Sequence, residues 1–430
     1  MIIARNRYLN QLKKKMWNGR IKVITGLRRC GKSYLLFELF KDYLIRSGVR
    51  ENHILSLSLD DDQNEEYRDP RMISSFVRSV AIDPSERYYV LLDEIQFAIT
   101  KEEMKQKDSP VRLYSVLNGF LKMKNVDVYV TGSNSKMLSR DISTEFRGRG
   151  DVIHMYPLSF SEFYSAAGLP KEDAYSEYIM FGGMPYILSL EDEEDKYRYL
   201  SDLFSEIYFK DMIERYDIAL PAVLSELTDV LCSSVGSLTN ANKIANTLHS
   251  VRNARIASET VANYISYLTD CFLFSEAKRY DVKGKKYFEY PSKYYCADLG
   301  LRNARLNFRQ QEETHLMENM IYNELLIRGY TVDVGVVSLL DRDEAGKRHQ
   351  RNHEIDFIAS KGMKKYYIQS AYSLDDEQKA SQEKRPLLGV KDVFRKIIIS
   401  GNRMKPWTDE LGILRIGILD FLLNEDCFSD

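Results

Sequence analysis

Between residues 21 and 155, short runs of β-branched and aromatic residues alternate with segments whose apolar positions recur every three or four residues. IKVIT, HILSLSL, YYVLLDE, VDVYVTG and DVIHMY read as strands, and SYLLFELFKDYLIR, MISSFVRSVA, VRLYSVLNGFLKM and KMLSRDISTEF as the helices that accompany them. Such alternation predicts an α/β fold in which a parallel sheet carries helices on both faces. From 157 to 235 the pattern turns mostly helical, clearest in YLSDLFSEIYFKDMIERY, and predicts a helical lid or linker. In 236–300 two short helices, LTNANKIANTL and ASETVANYISYLTDCF, precede two strand-like runs, LFSEAKRY and KKYFEYPSKYYCAD. That order is the one of a winged helix-turn-helix, with the two runs as its hairpin. Residues 314–425 begin with the helix HLMENMIYNELLIRGY and continue through TVDVGVV, HEIDFIAS, KKYYIQSAYS, FRKIIISG and ILRIGILDFLL, a small α/β or α+β domain. The expected division is therefore a core over 1–156, then 157–235, 236–300 and 314–425.

Composition changes this picture little. The 430 residues are 44% hydrophobic and 29% charged with a net charge of -2, as in a globular protein, so any surface for nucleic acid must be local. No run approaches the roughly 18 apolar residues of a membrane helix, and the start MIIARNRYLNQLKKKMW lacks the apolar centre of a signal peptide. A cytoplasmic protein without a membrane segment is expected. Cys30, Cys232, Cys271, Cys296 and Cys427 are scattered, odd in number and never spaced C-x-x-C, which argues against a disulfide framework or a zinc site.

Chemistry concentrates in GLRRCGKS, residues 26–33, which fits G-x-x-x-x-G-K-[ST] between a strand and a helix. Glycines at 26 and 31 let successive backbone amides turn inward around a β-phosphate. Lys32 places a point charge on the β- and γ-phosphates, Ser33 offers a hydroxyl to Mg²⁺, and the following helix directs its positive end at the same anion. The candidate nucleotide-binding residues are thus Gly26, Leu27, Arg28, Arg29, Cys30, Gly31, Lys32, Ser33 and Tyr34. The strand YYVLLDE ends in Asp93-Glu94: Asp93 as a second Mg²⁺ partner through water, and Glu94 to polarise the water that attacks the γ-phosphate. This carboxylate pair favours hydrolysis over transfer to a small molecule.

VYVTGSNSKML closes a third strand with Thr131, Gly132, Ser133 and Asn134, which either contact the attacking water and γ-phosphate or form a plain strand-to-helix turn. Arg147 and Arg149 of FRGRG stand for γ-phosphate stabilisation in cis or across a subunit interface, with surface ion pairing as the alternative. The absence of an N-K-x-D tetrapeptide favours ATP over GTP.

GLRRCGKS, LLDEIQ, VTGSNSKMLS, FRGRG, YPLSFSEF and FGGMPYIL, in that order, resemble the prokaryotic AAA-type ATPases whose C-terminal half is the domain of unknown function DUF4143. YYCADLGLRNA, ENMIYNELLIRGY and EIDFIA resemble that C-terminal half. The resemblance implies a P-loop NTPase core of the additional-strand, catalytic-glutamate type, a winged-helix segment, and a terminal fold similar to restriction-endonuclease-like nucleases.

Two further segments carry candidate chemistry. Residues 278–293 hold Lys278, Arg279, Lys283, Lys285, Lys286 and Lys293 against Asp281 and Glu289, and so suggest phosphate contacts from a wing to double-stranded DNA, or a winged fold used only for protein contacts or as a spacer. In nuclease-like domains an acid at a strand end and an E-x-K on the next strand hold Mg²⁺. Here Asp356 suits the first acid, with Glu318 or Glu324 as a helix-borne addition, but Gln369 and Ala371 stand where the glutamate and lysine belong. A catalytically silent domain follows. His349 and His353 read as exposed residues without a third metal ligand. Together these features predict an ATP- and Mg²⁺-dependent switch coupled to DNA, or a nucleotide-ordered scaffold with negligible turnover that binds a protein partner or a second copy of itself.

Overall fold

The structure, a computed structural model, describes residues 2–100, 102–103, 111–132, 148–252, 256–288, 291–342, 348–373, 377–402 and 404–428. Their contacts form two compact units, residues 1–157 with 270–272, and residues 158–269 with 273–430.

The first unit is built on five parallel strands, β1 (Ile21–Gly26), β2 (Ile54–Ser58), β3 (Tyr88–Asp93), β4 (Val126–Gly132) and β5 (Gly150–Met155), in the order β2-β3-β4-β1-β5. These are the five strands expected from the sequence. Every residue of β1, β3 and β4 is buried, as continuous apolar runs require when both faces of a sheet are covered. Because β4 lies between β1 and β3, the phosphate-loop strand and the acid-pair strand are separated by one strand, the additional-strand arrangement of a P-loop NTPase. Helix α1 (Asn6–Lys15), a helical run through Lys32–Tyr34, Leu35–Phe40 and Lys41–Arg46, α2 (Pro70–Val80) and α3 (Arg112–Phe120) flank the sheet. Proline at the first turn of α2 and Asp69, which accepts from the Arg71 amide at 2.9 Å, start that helix. Its Ile73 and Val77 then pack with Leu113 and Leu117 of α3. The expected helix KMLSRDISTEF lies outside the described residues.

The second unit carries helices α4 (Phe160–Ala167), α5 (Lys171–Phe181), α6 (Glu193–Asp202), α7 (Lys210–Tyr216), α8 (Pro221–Ser233), α9 (Ala241–Arg252) and α10 (Ser258–Asp270). Beyond them, β6 (Phe274–Ala277), β7 (Arg279–Asp281), β8 (Lys286–Tyr287), β9 (Lys293–Cys296), α11 (Leu299–Arg305) and α12 (Glu313–Ile327) lead to β10 (Thr331–Arg342), β11 (Arg348–Lys361) and β12 (Lys364–Ala371). Strands β13 (Arg395–Ser400), β14 (Trp407–Thr408) and β15 (Ile413–Gly417) complete a mixed sheet of order β14-β15-β13-β12-β11-β10-β7-β8.

The two runs read as a hairpin do pair antiparallel with each other, in two sections that belong to different sheets. β6 pairs with β9, while β7 runs parallel to β10 and turns back through β8. The Val334 and Val282 amides donate to the Lys278 and Val336 carbonyls at 2.8 and 3.0 Å, so β7 satisfies a backbone edge that β10 would otherwise leave open.

Two of the family-like motifs interlock within this unit. Asp298, which caps α11 through the Leu301 amide (3.0 Å), also accepts the Gly183 amide at 2.6 Å, and Asn303 donates to the Ile179 and Met180 carbonyls at 2.9 Å. A Cβ at Gly300 would collide with the Phe181 carbonyl, and one at Gly182 with the Asp298 carboxylate. FGGMP and ADLGLRNA therefore owe their composition to a close backbone joint.

Candidate functional site

The loop after β1 carries two glycines for steric reasons. Gly26 has φ 145 and a Cβ there would strike the Met155 carbonyl at the end of β5, while Gly31 has φ 101. The helix then begins with the Leu35 amide donating to Gly31 O at 2.9 Å. Lys32 is buried; its ammonium donates to the carbonyls of Gly26 (3.3 Å) and Leu27 (3.1 Å) and lies 3.9 Å from the Glu94 carboxylate.

The parallel sheet brings the ends of β1, β3 and β4 to the same edge, and with them the acid pair and Thr131. Asp93 is buried, and burial raises its carboxyl above the ordinary carboxylate range against the opposing pull of hydrogen bonds from Ser33 and Thr131. The Thr131 hydroxyl donates to Asp93 and accepts the Glu94 amide at 3.0 Å. Glu94 sits in the left-handed region, φ 50, and takes a hydrogen bond from the Gln96 side chain. Lys32, Ser33, Asp93, Glu94 and Thr131 are thus one constellation. The role of Gln96 was not apparent in the sequence; its place two residues beyond Glu94 is the signal.

Arg149 is not part of it. Its carbonyl accepts the Ile21 amide at 3.0 Å, at the starting end of β1 and β5. Six residues of strand, roughly 20 Å, separate it from the phosphate loop. A cis contact with the γ-phosphate is therefore corrected. Ser133, Asn134 and Arg147 lie outside the described residues.

In the second unit Asp356 on β11 and Gln369 on β12 are neighbours, the Gln369 side chain accepting the Asp356 amide at 3.4 Å, and Ala371 is buried. Glu318 of α12 joins them, but Glu324 instead pairs with Arg328 at 2.7 Å. The cation among these acids is Lys293 of β9, whose ammonium lies 2.9 Å from Glu318, 2.8 Å from Glu354 and 3.7 Å from Asp356. Tyr295 adds a hydrogen bond to Glu318 at 2.7 Å. Burial, helped by repulsion from Glu318, holds the Asp356 carboxyl well above the ordinary range. Lys293 is 3% exposed and so is removed from the surface lysines of the basic segment; Lys278, Lys283, Lys285 and Lys286 are exposed. Counting charges along the chain could not separate a lysine at a buried strand position from those on a turn. His349 and His353 lie on β11 opposite Asp341 and Val337, and no third metal ligand joins them among the described residues.

Comparison with known proteins agrees with the first unit and corrects one expectation about the second. Residues 18–164 match the family model described as an AAA domain, and residues 172–312 match a domain of unknown function, DUF8612, in place of the expected DUF4143. The motifs that suggested DUF4143 include the joint residues of FGGMP and ADLG, whose identity reflects backbone packing. The chain is 34% identical to an uncharacterized protein of Haemophilus influenzae over 98% of this chain and 99% of that one. It is 27% identical to an uncharacterized protein of Methanocaldococcus jannaschii over 88% of this chain and 80% of the relative. Among solved structures, a Walker-type ATPase of Pyrococcus abyssi is 13% identical with a TM-score of 0.48, covering 71% of this chain and 96% of the other.

Proposed function

The chain belongs to one family with the Haemophilus influenzae protein and carries an AAA domain over residues 18–164, and from that premise we propose that it hydrolyses ATP with Mg²⁺ to drive a conformational switch. The observation that carries this reading is Thr131, which ties the Asp93 carboxylate to the Glu94 backbone beside Lys32. Ser33 and Asp93 form a hydrogen-bonded pair of oxygen donors, the donor type that suits a hard cation which keeps much of its water. Mg²⁺, when bound, neutralises charge on the β- and γ-phosphate oxygens. Lys32 and the loop amides hold the triphosphate, and Glu94 takes the proton of the attacking water. Arg149 is a candidate for γ-phosphate stabilisation only across a subunit interface.

Steady-state turnover tests the assignment. Glu94→Gln should bind ATP as the native chain does and lose about a hundredfold or more in turnover, whereas Lys32→Ala should lose binding. A glutamine variant that turns over at the native rate removes Glu94 from the mechanism. The exposed lysines of 278–286 support duplex DNA as partner, and DNA should then stimulate turnover with steep salt dependence. Negligible native turnover, indifferent to DNA, would instead indicate the nucleotide-ordered scaffold.

A further inference from the structure

The N-terminal segment reaches the phosphate loop through a residue the sequence did not single out. Arg5, immediately before α1, is 2% exposed. One terminal nitrogen of its guanidinium donates to the Cys30 carbonyl at 3.3 Å and the other to the Tyr156 carbonyl at 2.6 Å. The Tyr156 amide is also held by α1, donating to the Tyr8 hydroxyl at 3.2 Å. The end of β5 presses on the loop as well, since the Met155 carbonyl bounds the space at Gly26 and accepts from the Cys30 thiol at 3.5 Å.

A trans peptide is planar, with its C=O and N–H on opposite sides. Holding the Cys30 carbonyl toward Arg5 therefore turns the Gly31 N–H the other way. We propose that Arg5 is a positioning residue for nucleotide binding: by clamping the Cys30–Gly31 peptide plane it aims the Gly31 amide into the phosphate cradle, without touching the nucleotide itself. This rests on the reading of the loop as a triphosphate site. A planar fork suits the task, because it holds two carbonyls on different segments at fixed separation, which a single ammonium cannot reproduce.

The test uses the full-length chain and measures ATP and ADP affinity, steady-state kcat and KM, and melting temperature. Arg5→Met should weaken ATP and ADP alike by about tenfold or more, raise KM in step, and leave kcat at saturation within about threefold, since a cradle amide serves ground and transition states equally. Arg5→Lys should recover part of the affinity. Tyr8→Phe removes the neighbouring link to Tyr156 but leaves the Cys30 clamp; it should lower the melting temperature without changing affinity. Native affinity in Arg5→Met, or a loss in Tyr8→Phe equal to that in Arg5→Met, overturns the proposal. A native chain that binds no nucleotide overturns the triphosphate reading and the role of Arg5 together, whereas a binding native chain with an indifferent Arg5→Met overturns Arg5 alone.

Discussion

Glu94 holds a backbone conformation that costs a non-glycine residue on the order of 1 kcal/mol, and Thr131 is what keeps it there. Thr131→Val conserves shape and deletes the hydroxyl that serves both Asp93 and the Glu94 amide. Turnover should fall by about tenfold or more and stability by about 1–3 kcal/mol, while Thr131→Ser retains most of both; kinetics and chemical denaturation of the two variants check this. The loop itself was legible in the sequence because its spacing is its chemistry: two glycines, a lysine and a hydroxyl at fixed offsets can be recognised without a fold. Arg5 was not, since a single arginine ahead of an amphipathic helix looks like any exposed charge until β5 is brought beside the loop. Thr131 stood among four candidates at one strand end, and the placement of β4 between β1 and β3 is what brings it to the acid pair.

Among the elements, the strands of the first sheet could be read from their apolar runs, but pairing between distant segments could not. The hairpin of 274–296 shows why: local alternation gives strand character, whereas the partner of β7 is decided by an open edge on β10 that lies some fifty residues away in sequence. Lys293 on β9, the partner of β6, is likewise buried by distant segments, its ammonium lying among Glu318 of α12 and Glu354 and Asp356 of β11. Lys293→Met should cost about 3–5 kcal/mol by leaving Glu318, Glu354 and Asp356 without their cation; chemical denaturation of native and variant chains measures it. The joint between α5 and α11 titrates. Burial pushes the Asp298 carboxyl from 3.8 up to about 6, against hydrogen bonds from the Gly183, Leu301 and Gly300 amides. Because the folded chain holds this proton more tightly than the unfolded one, its contribution is full below about pH 4 and is lost as pH rises through 6. The Asp298→Asn variant should lack that component. The stability difference between native and variant chains should change by on the order of 3 kcal/mol between pH 4 and 6.5 and stay level above, as melting curves across that range would show.

At the scale of the whole molecule, a net charge of -2 coexists with a local group of exposed lysines on the β7–β8 turn. If these meet DNA phosphates, Lys285→Gln with Lys286→Gln should reduce the slope of log affinity against log salt by about 2, read from titrations with duplex DNA at several ionic strengths. An unchanged slope would move the contact elsewhere. The same turn closes one side of the eight-stranded sheet, and β14 closes the other, each with a strand of only two residues. So broad a surface would ordinarily invite a neighbouring chain to continue its ladder, yet two residues offer too little backbone for templating. Continuation of the ladder from these two outermost strands is thereby discouraged.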